Sequence, residues 1–142
     1  MWIDYVEVTG WASAVENFYG YVSSRSILYR FLSPVADVKS MYRDMWSRGC
    51  RTWAVYIDNK LVALVDICQG RECVEAAVVV ADRFQKRGYG KAIVLDFLKR
   101  LRGVRCIEAF VSLDNYPALK IARRLGAEIV CTDICHIKVE KV

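Results

Sequence analysis

The spacing of hydrophobic and polar residues changes character near residue 50. Before that point, the pattern favours one short strand at residues 2–8 followed by three helical segments. These segments cover residues 12–22, 24–32 and 35–47. After that point, it favours three strands joined by short polar turns, which is typical of an antiparallel meander. The strands cover residues 51–57, 61–68 and 73–81.

The second half of the chain alternates helices with strands. Val94, Phe97, Leu98 and Leu101 form one apolar stripe, which predicts an amphipathic helix over about 90–102. Three further elements are predicted after it: a strand over 105–112, a helix that follows Pro117 and ends near Gly126, and a strand over 128–139.

The order of these elements predicts the fold class. A strand, a helix and a strand in succession imply parallel pairing across the helix, within an otherwise antiparallel sheet. Residues 76–81 are apolar on both alternations, which predicts a strand buried on both faces. We therefore predict one domain over residues 1–142 of the α/β class, with a mixed, mostly antiparallel central sheet and helices on both faces.

Charge is distributed unevenly along the chain, whose formal net charge is +5. Residues 83–124 hold 11 basic and three acidic residues, so this segment carries +8 and the remainder carries −3. A basic segment in a near-neutral body indicates a bound anion. A solvated basic helix face would produce the same pattern.

The six cysteines and the single histidine do not match a metal site. No C-x-x-C pair occurs, and the neighbours Cys135 and His136 would point to opposite faces of a strand. We expect no metal and buried free thiols. The alternative for one pair is a disulfide between Cys68 and Cys73, which flank a predicted hairpin turn.

Composition also bears on location. No run of 18 apolar residues occurs and the first residues lack a signal-peptide pattern, so the sequence favours a cytoplasmic protein with no membrane span. Only two glutamines and three asparagines occur, a depletion typical of heat-adapted proteins, which suggests a thermophilic source. We expect a monomer or a homodimer.

The segment between the third meander strand and the next helix has the composition of an anion-binding turn. Unpaired N–H groups and the helix dipole at such a junction attract an anion, and glycines allow its close approach. The pattern predicts a diphosphate site, or else a glycine turn without a ligand. Neither the P-loop spacing nor the dinucleotide fingerprint is present. The segment is Gln85-Lys86-Arg87-Gly88-Tyr89-Gly90-Lys91.

This segment resembles the Q/R-x-x-G-x-G/A signature of the GNAT superfamily of acyl-CoA N-acyltransferases. The similarity extends over about residues 50–140. It implies the GNAT fold, acetyl-CoA as co-substrate, and transfer of an acetyl group to an amine. The similar stretches are YIDNKLVALVDI, AAVVVADRFQKRGYGKAIVLDFLKRLR and VSLDNYPALKIARRLGAEIV.

The resemblance also implies which residues bind acetyl-CoA. The backbone of one strand would pair with the pantetheine arm, and the turn would bind the diphosphate. The Val80 or Val79 amide would stabilise the oxyanion of the tetrahedral intermediate. The implied binding residues are Val78, Val79 and Val80 on the strand, Gln85, Lys86, Arg87, Gly88, Tyr89, Gly90 and Lys91 in the turn, and Asn115 at the next helix.

The amine must lose a proton before it attacks, since an alkylammonium has a pKa of about 10.4. Glu75, just before the apolar run, is the predicted base, and Asp66 is a weaker second base. Glu72 lies in a turn and is expected to be solvated. The stretches VEAAVVVADRFQKRGYG and SSRSILYRFLSP also resemble Pat-type protein lysine acetyltransferases, a similarity that implies the same role for Glu75.

The sequence departs from the GNAT pattern at one catalytic position. Many GNAT enzymes have a tyrosine in the last helix as general acid for the leaving thiolate, and Ala122 aligns with it here. An aromatic residue often follows the glycine after that helix, where this chain has Ala127. Tyr116 is a substitute in sequence, although packing or capping is its simpler role. Tyr89 is expected to pack beneath the turn.

Several functions fit these observations. The leading interpretation is an acetyltransferase that acts on a protein lysine or an N-terminal amine, with a small-molecule amine as the next candidate acceptor. Ala122 also suits a non-catalytic acyl-CoA sensor. A nucleic-acid partner is disfavoured because the basic residues flank a phosphate-binding turn.

Overall fold

Seven strands form one sheet against which five helices pack in the computed structural model, which describes residues 1–141. The strands are β1 (Ile3–Glu7), β2 (Arg51–Ile57), β3 (Lys60–Gln69), β4 (Val74–Val80), β5 (Cys106–Ser112), β6 (Glu128–Cys131) and β7 (Ile134–Glu140). The helices are α1 (Ala12–Tyr19), α2 (Ser24–Phe31), α3 (Val38–Ser47), α4 (Tyr89–Arg100) and α5 (Tyr116–Arg124). Within residues 1–141, no helix has the length and apolarity of a membrane span.

The sheet order is β1-β2-β3-β4-β5-β7-β6, and only β4 and β5 pair in parallel. Thr52 points to the face that α3 covers, because it accepts a hydrogen bond from the Trp46 indole (3.0 Å). The next residue, Trp53, points to the opposite face, where its ring contacts Phe97 of α4 at 5.8 Å between centroids. The predicted fold class, a mixed sheet with helices on both faces, is confirmed.

The last predicted strand, over 128–139, is instead the hairpin of β6 and β7. The Thr132 N–H donates to the Ile134 carbonyl (2.9 Å) in its turn. The sequence signal for this turn is the polar pair Thr132-Asp133 inside an otherwise strand-like run. The hairpin places β7, rather than β6, against β5.

The expectation of free thiols is wrong, because all six cysteines form disulfides. Cys68 does not lie opposite Cys73, since the β3–β4 register places it opposite Glu75. Each disulfide instead joins residues that are neighbours across two adjacent strands. Cys50, directly before β2, pairs with Cys68 of β3, and Cys73, directly before β4, pairs with Cys106 of β5. Cys131 of β6 pairs with Cys135 of β7.

A buried ion pair links α2 to the centre of the sheet. Arg30 donates from Nε and Nη2 to the Asp66 carboxylate at 3.0 and 2.8 Å. The same carboxylate accepts from the hydroxyls of Tyr42 (2.7 Å) and Thr52 (2.8 Å). Burial and the neighbouring Asp66 carboxylate raise the pKa of Tyr42 well above its ordinary value, so its hydroxyl stays a donor. Asp66 is therefore saturated with donors.

Replacing Arg30 with Met is expected to lower the free energy of unfolding by about 3–5 kcal/mol, because it leaves the Asp66 carboxylate buried without its cation. Urea unfolding measures this change. Arg51→Met is the control, since Arg51 is exposed in its pair with Glu7. Similar losses in both variants would contradict a structural role for the buried pair.

Candidate active site

The parallel strands β4 and β5 pair only at one end. Their register comprises two pairs, the last of which is Glu75 opposite Glu108. Beyond that pair the strands separate. We call the resulting space, between residues 76–80 of β4 and 109–112 of β5, the β4–β5 groove.

The hydrogen bonds between β3 and β4 decide which main-chain groups face this groove. The Gly70 N–H donates to the Cys73 carbonyl (2.9 Å), and the Ala81 N–H donates to the Val62 carbonyl (2.8 Å). Antiparallel strands exchange hydrogen bonds through alternate residues. The odd-numbered residues of β4 therefore bond to β3, and the even-numbered residues direct their N–H and C=O groups away from it.

Beyond the last pair with β5, the residues of β4 with main-chain groups toward the groove are therefore Val78 and Val80. Val79 differs from the sequence prediction, because its main-chain groups face Leu64 of β3 and its side chain is only 5% exposed. Free main-chain groups along a strand edge are what an extended ligand arm needs to bind as an added strand.

The burial of β4 also departs from expectation and points to the same groove. All of its residues except Val79 are only half-buried, although the run is almost entirely apolar. Burial on both faces was predicted for residues 76–81, but only Val79 and Ala81 are buried, and β5 separates from β4 along this run. An apolar groove lined by free amides suits a ligand with an amide-containing chain.

The turn from residue 85 to residue 91 follows directly, at the open end of the groove. Lys86 and Gly88 adopt left-handed backbone conformations, with φ of 62° and 80°. Gly88 is the N-cap of α4 and provides no side chain to satisfy the helix amides. Among residues 1–141, no acceptor contacts the N–H groups of residues 86–91. The turn therefore presents free amides at the positive end of a helix dipole.

Side chains beneath the turn hold it open. The Tyr89 ring packs against Phe84 at 6.0 Å between centroids, as expected, and the Arg87 guanidinium lies 5.9 Å from the Phe84 ring centre. A Cβ placed on Gly88 would meet no atom within 4 Å. The space directly in front of Gly88 is therefore not filled by any of residues 1–141, and Lys86 and Arg87 are exposed beside it.

Gln85 has a different role from the other turn residues. Its Nε2 donates to the Val80 carbonyl (2.9 Å) and to the Ser26 hydroxyl (3.1 Å). These bonds anchor the turn to the end of β4 and to α2. The Val80 carbonyl is therefore occupied, whereas its N–H remains directed toward the groove.

Most of the chain is similar to one known protein family. The model of the family described as "Acetyltransferase (GNAT) family" matches residues 21–127. The chain belongs to the GNAT acetyltransferase family. GNAT enzymes use acetyl-CoA as the acyl donor. The free amides of the turn and the groove fit the diphosphate and the pantetheine arm of that molecule.

Individual relatives show the GNAT fold over nearly the whole chain. The GNAT domain of PAT from S. lividans superposes with a TM-score of 0.78 at 20% identity, covering 98% of this chain and 89% of that one. The N-acetyltransferase PseH of Campylobacter jejuni, solved with acetyl coenzyme A, has a TM-score of 0.70 at 12% identity, with coverages of 99% and 100%.

A closer match in sequence is shorter. A mycothiol acetyltransferase of Corynebacterium jeikeium (strain K411) is 41% identical over 61 residues, which is 42% of this chain. The match spans only 18% of that relative's length.

Carboxylate side chains lie at and near the closed end of the β4–β5 groove. Glu75 is half-buried, and within the described chain its carboxylate has no hydrogen-bonding or ionic partner. The carboxylate of Asp66, the predicted second base, is already engaged by four hydrogen bonds. Glu72 is exposed in the β3–β4 turn, as expected. Among the three carboxylates named here, Glu75 is therefore the one that is both half-buried and unengaged.

Helix α5 has an alanine, Ala122, at the position where many GNAT enzymes have a catalytic tyrosine. Ala122 is 3% exposed and packs with Leu119 against β7. Tyr116 lies at the start of α5 and is 69% exposed. It therefore does not have the packing role that was expected from the sequence. The Asn115 side chain accepts a hydrogen bond from the Ala118 N–H (3.4 Å) and so caps α5.

Proposed function

We propose that this GNAT protein transfers the acetyl group of acetyl-CoA to a primary amine of a protein, either a lysine side chain or an N-terminal amine. The observation that carries the proposal is the β4–β5 groove, which joins a turn of free amides at one end to a free carboxylate at the other. In the proposal, the amides of residues 86–91 bind the diphosphate. The Val78 and Val80 main chain binds the pantetheine arm.

The spacing along β4 assigns a position to the thioester. At about 3.3 Å per residue, Val80 lies roughly 17 Å from Glu75 and Val78 roughly 10 Å from it. The amide that contacts the thioester oxygen has to lie near the base that deprotonates the attacking amine. We therefore assign the oxyanion contact to Val78 rather than to Val80, whose N–H lies at the open end, nearer the diphosphate.

In the proposed chemical step, the protein provides a base and no general acid. The Glu75 carboxylate takes one proton from the acceptor ammonium, and the nitrogen lone pair attacks the thioester carbonyl carbon. A C–N bond forms, the C–S bond breaks, and the thiolate leaves with the bonding electrons. The second nitrogen proton is released to the thiolate through solvent. A thiol has a pKa near 8.5, so it leaves without a protein acid, which is compatible with Ala122.

The open sheet surface beside the β4–β5 groove, formed by β5, β6 and β7, favours a large acceptor. Phe110, Val130 and Ile134 are at least 36% exposed there. These residues belong to β5, β6 and β7, on a face that the first three helices leave largely uncovered. A broad exposed apolar surface suits a protein better than a small molecule. The segments that resemble Pat-type enzymes support the same class of acceptor.

A small-molecule amine is the second candidate acceptor. The observation that favours it is the 41% identity to part of a mycothiol acetyltransferase. This proposal keeps the same groove and the same base, and changes only the molecule that approaches Glu75.

The test is incubation of the protein and isotope-labelled acetyl-CoA with a lysate of the source organism, followed by mass spectrometry. We expect labelled acetyl groups on lysines or N-termini of proteins. Label only in the small-molecule fraction would favour the second candidate. Binding of acetyl-CoA without any labelled product would contradict the enzyme and support a sensor.

A further inference from the structure

Glu75 has a counterpart on the neighbouring strand. The triplets Cys73-Val74-Glu75 and Cys106-Ile107-Glu108 share one pattern, a cysteine, a β-branched residue and a glutamate. The disulfide between the two cysteines and the two register pairs hold the triplets in phase. Residues paired across parallel strands point to the same face of the sheet. The Glu108 side chain therefore lies beside that of Glu75, at the closed end of the β4–β5 groove.

The orientation of Glu108 is fixed from two sides. The His136 Nε2 donates to its Oε2 at 2.9 Å, and the His136 ring stacks on Phe110 at 4.9 Å between centroids. On the other side, a Cβ on Gly70 would lie 2.9 Å from Oε1 of Glu108 and 2.4 Å from the Cys73 carbonyl oxygen. The clash with the Cys73 carbonyl requires glycine in this turn, and the Glu108 carboxylate packs against the side of Gly70 that has no side chain.

Among the residues that the structure describes, no lysine or arginine pairs with either of these two carboxylates. Lys138 is the register partner of Glu108 on β7, but its Nζ lies 3.3 Å from Glu140 instead. Arg30 is occupied by Asp66. Like charges on directly paired residues destabilise a sheet, so this arrangement has a cost that a bound cation would remove.

We infer that Glu108 is a second carboxylate of the acceptor site, which binds the ammonium group of the acceptor together with Glu75, and that His136 is a positioning residue for Glu108. The inference rests on the N-acetyltransferase function proposed above. Glu75 takes one proton, the nitrogen attacks, and the C–N bond forms as the C–S bond breaks. The nitrogen of the amide product carries no charge, so neither carboxylate has an ion pair with the product. The site therefore selects cationic alkylamines.

The experiment measures steady-state kinetics with acetyl-CoA and poly-L-lysine as the probe acceptor, in the wild type, four single variants and one double variant. Glu108→Gln is expected to raise KM for poly-L-lysine about tenfold, the loss of one charge-assisted contact, with the Kd of acetyl-CoA unchanged. His136→Phe keeps the ring stack on Phe110 but removes Nε2, so it is expected to raise KM severalfold. His136→Gln retains an N–H donor and is expected to restore KM. Glu128→Gln, an exposed carboxylate on β6, is the control and leaves KM unchanged.

The double variant Glu108→Gln/His136→Phe distinguishes positioning from a merely structural role. Its KM is expected to equal that of Glu108→Gln alone, because His136 acts through Glu108. An active wild type with the same KM in Glu108→Gln would overturn this inference and leave the proposed function standing. A wild type that binds acetyl-CoA but acetylates neither poly-L-lysine nor any lysate amine would overturn both.

Discussion

Glu75→Gln is expected to lower kcat by about 100-fold or more while the Kd of acetyl-CoA stays the same. Glutamine has nearly the shape of glutamate but accepts no proton, and general-base catalysis contributes about 10²–10⁴-fold to rate. Glu75 is the carboxylate at the closed end of the groove that no described residue engages. Steady-state kinetics give kcat, and calorimetry gives the affinity for acetyl-CoA.

The control for Glu75→Gln is Glu72→Gln. Glu72 is three residues away in the chain and is exposed in the β3–β4 turn, so this variant changes the net charge equally without touching the groove. We expect wild-type turnover from it. Undiminished turnover in Glu75→Gln would remove Glu75 from the role of base.

Gly88→Val is expected to weaken acetyl-CoA binding by at least about 100-fold, or about 2.7 kcal/mol. Gly88 has a φ of 80°, a conformation that a β-branched residue adopts only under strain. The new side chain would also project into the open space in front of the turn, where the diphosphate is expected. Calorimetric titration with acetyl-CoA measures the loss.

The matched control is Gly103→Val, in the connection between α4 and β5. Gly103 has a similar φ of 68°, and a side chain there would also meet open space. Both variants should lose similar amounts of folding stability, and only Gly88→Val should lose the coenzyme. Equal affinity in the two variants would mean that the turn does not bind the diphosphate.

Local signals in the sequence were sufficient for most of the fold. Strand β2 matches its predicted range of 51–57, because a turn with two left-handed residues, Asp58 and Asn59, ends it sharply. The parallel pairing of β4 with β5 followed from the intervening helix. The hairpin of β6 and β7 was missed because one polar pair is a weak interruption in a strand-like run.

The features that were missed depend on register, which local patterns do not contain. The disulfide of Cys68 with Cys50 follows from the alignment of β2 and β3. Similarly, the half-burial of β4 and the orientation of the Val79 amide follow from where β5 separates and how β3 pairs. Glu108 was not singled out because its position beside Glu75 requires the parallel register. The shared cysteine-to-glutamate triplets are the one sequence signal that could have indicated it.

The central claim is that the free amides of β4 and of the following turn bind acetyl-CoA. Residue-resolved amide hydrogen exchange by NMR tests it most directly. Without ligand, the Val78 and Val80 amides should exchange quickly, whereas Val79, bonded to β3, should exchange slowly. Saturating acetyl-CoA should slow exchange at Val78, Val80 and residues 86–91 and leave Val79 unchanged. Binding of acetyl-CoA with no change at Val78, Val80 or the turn would contradict the account.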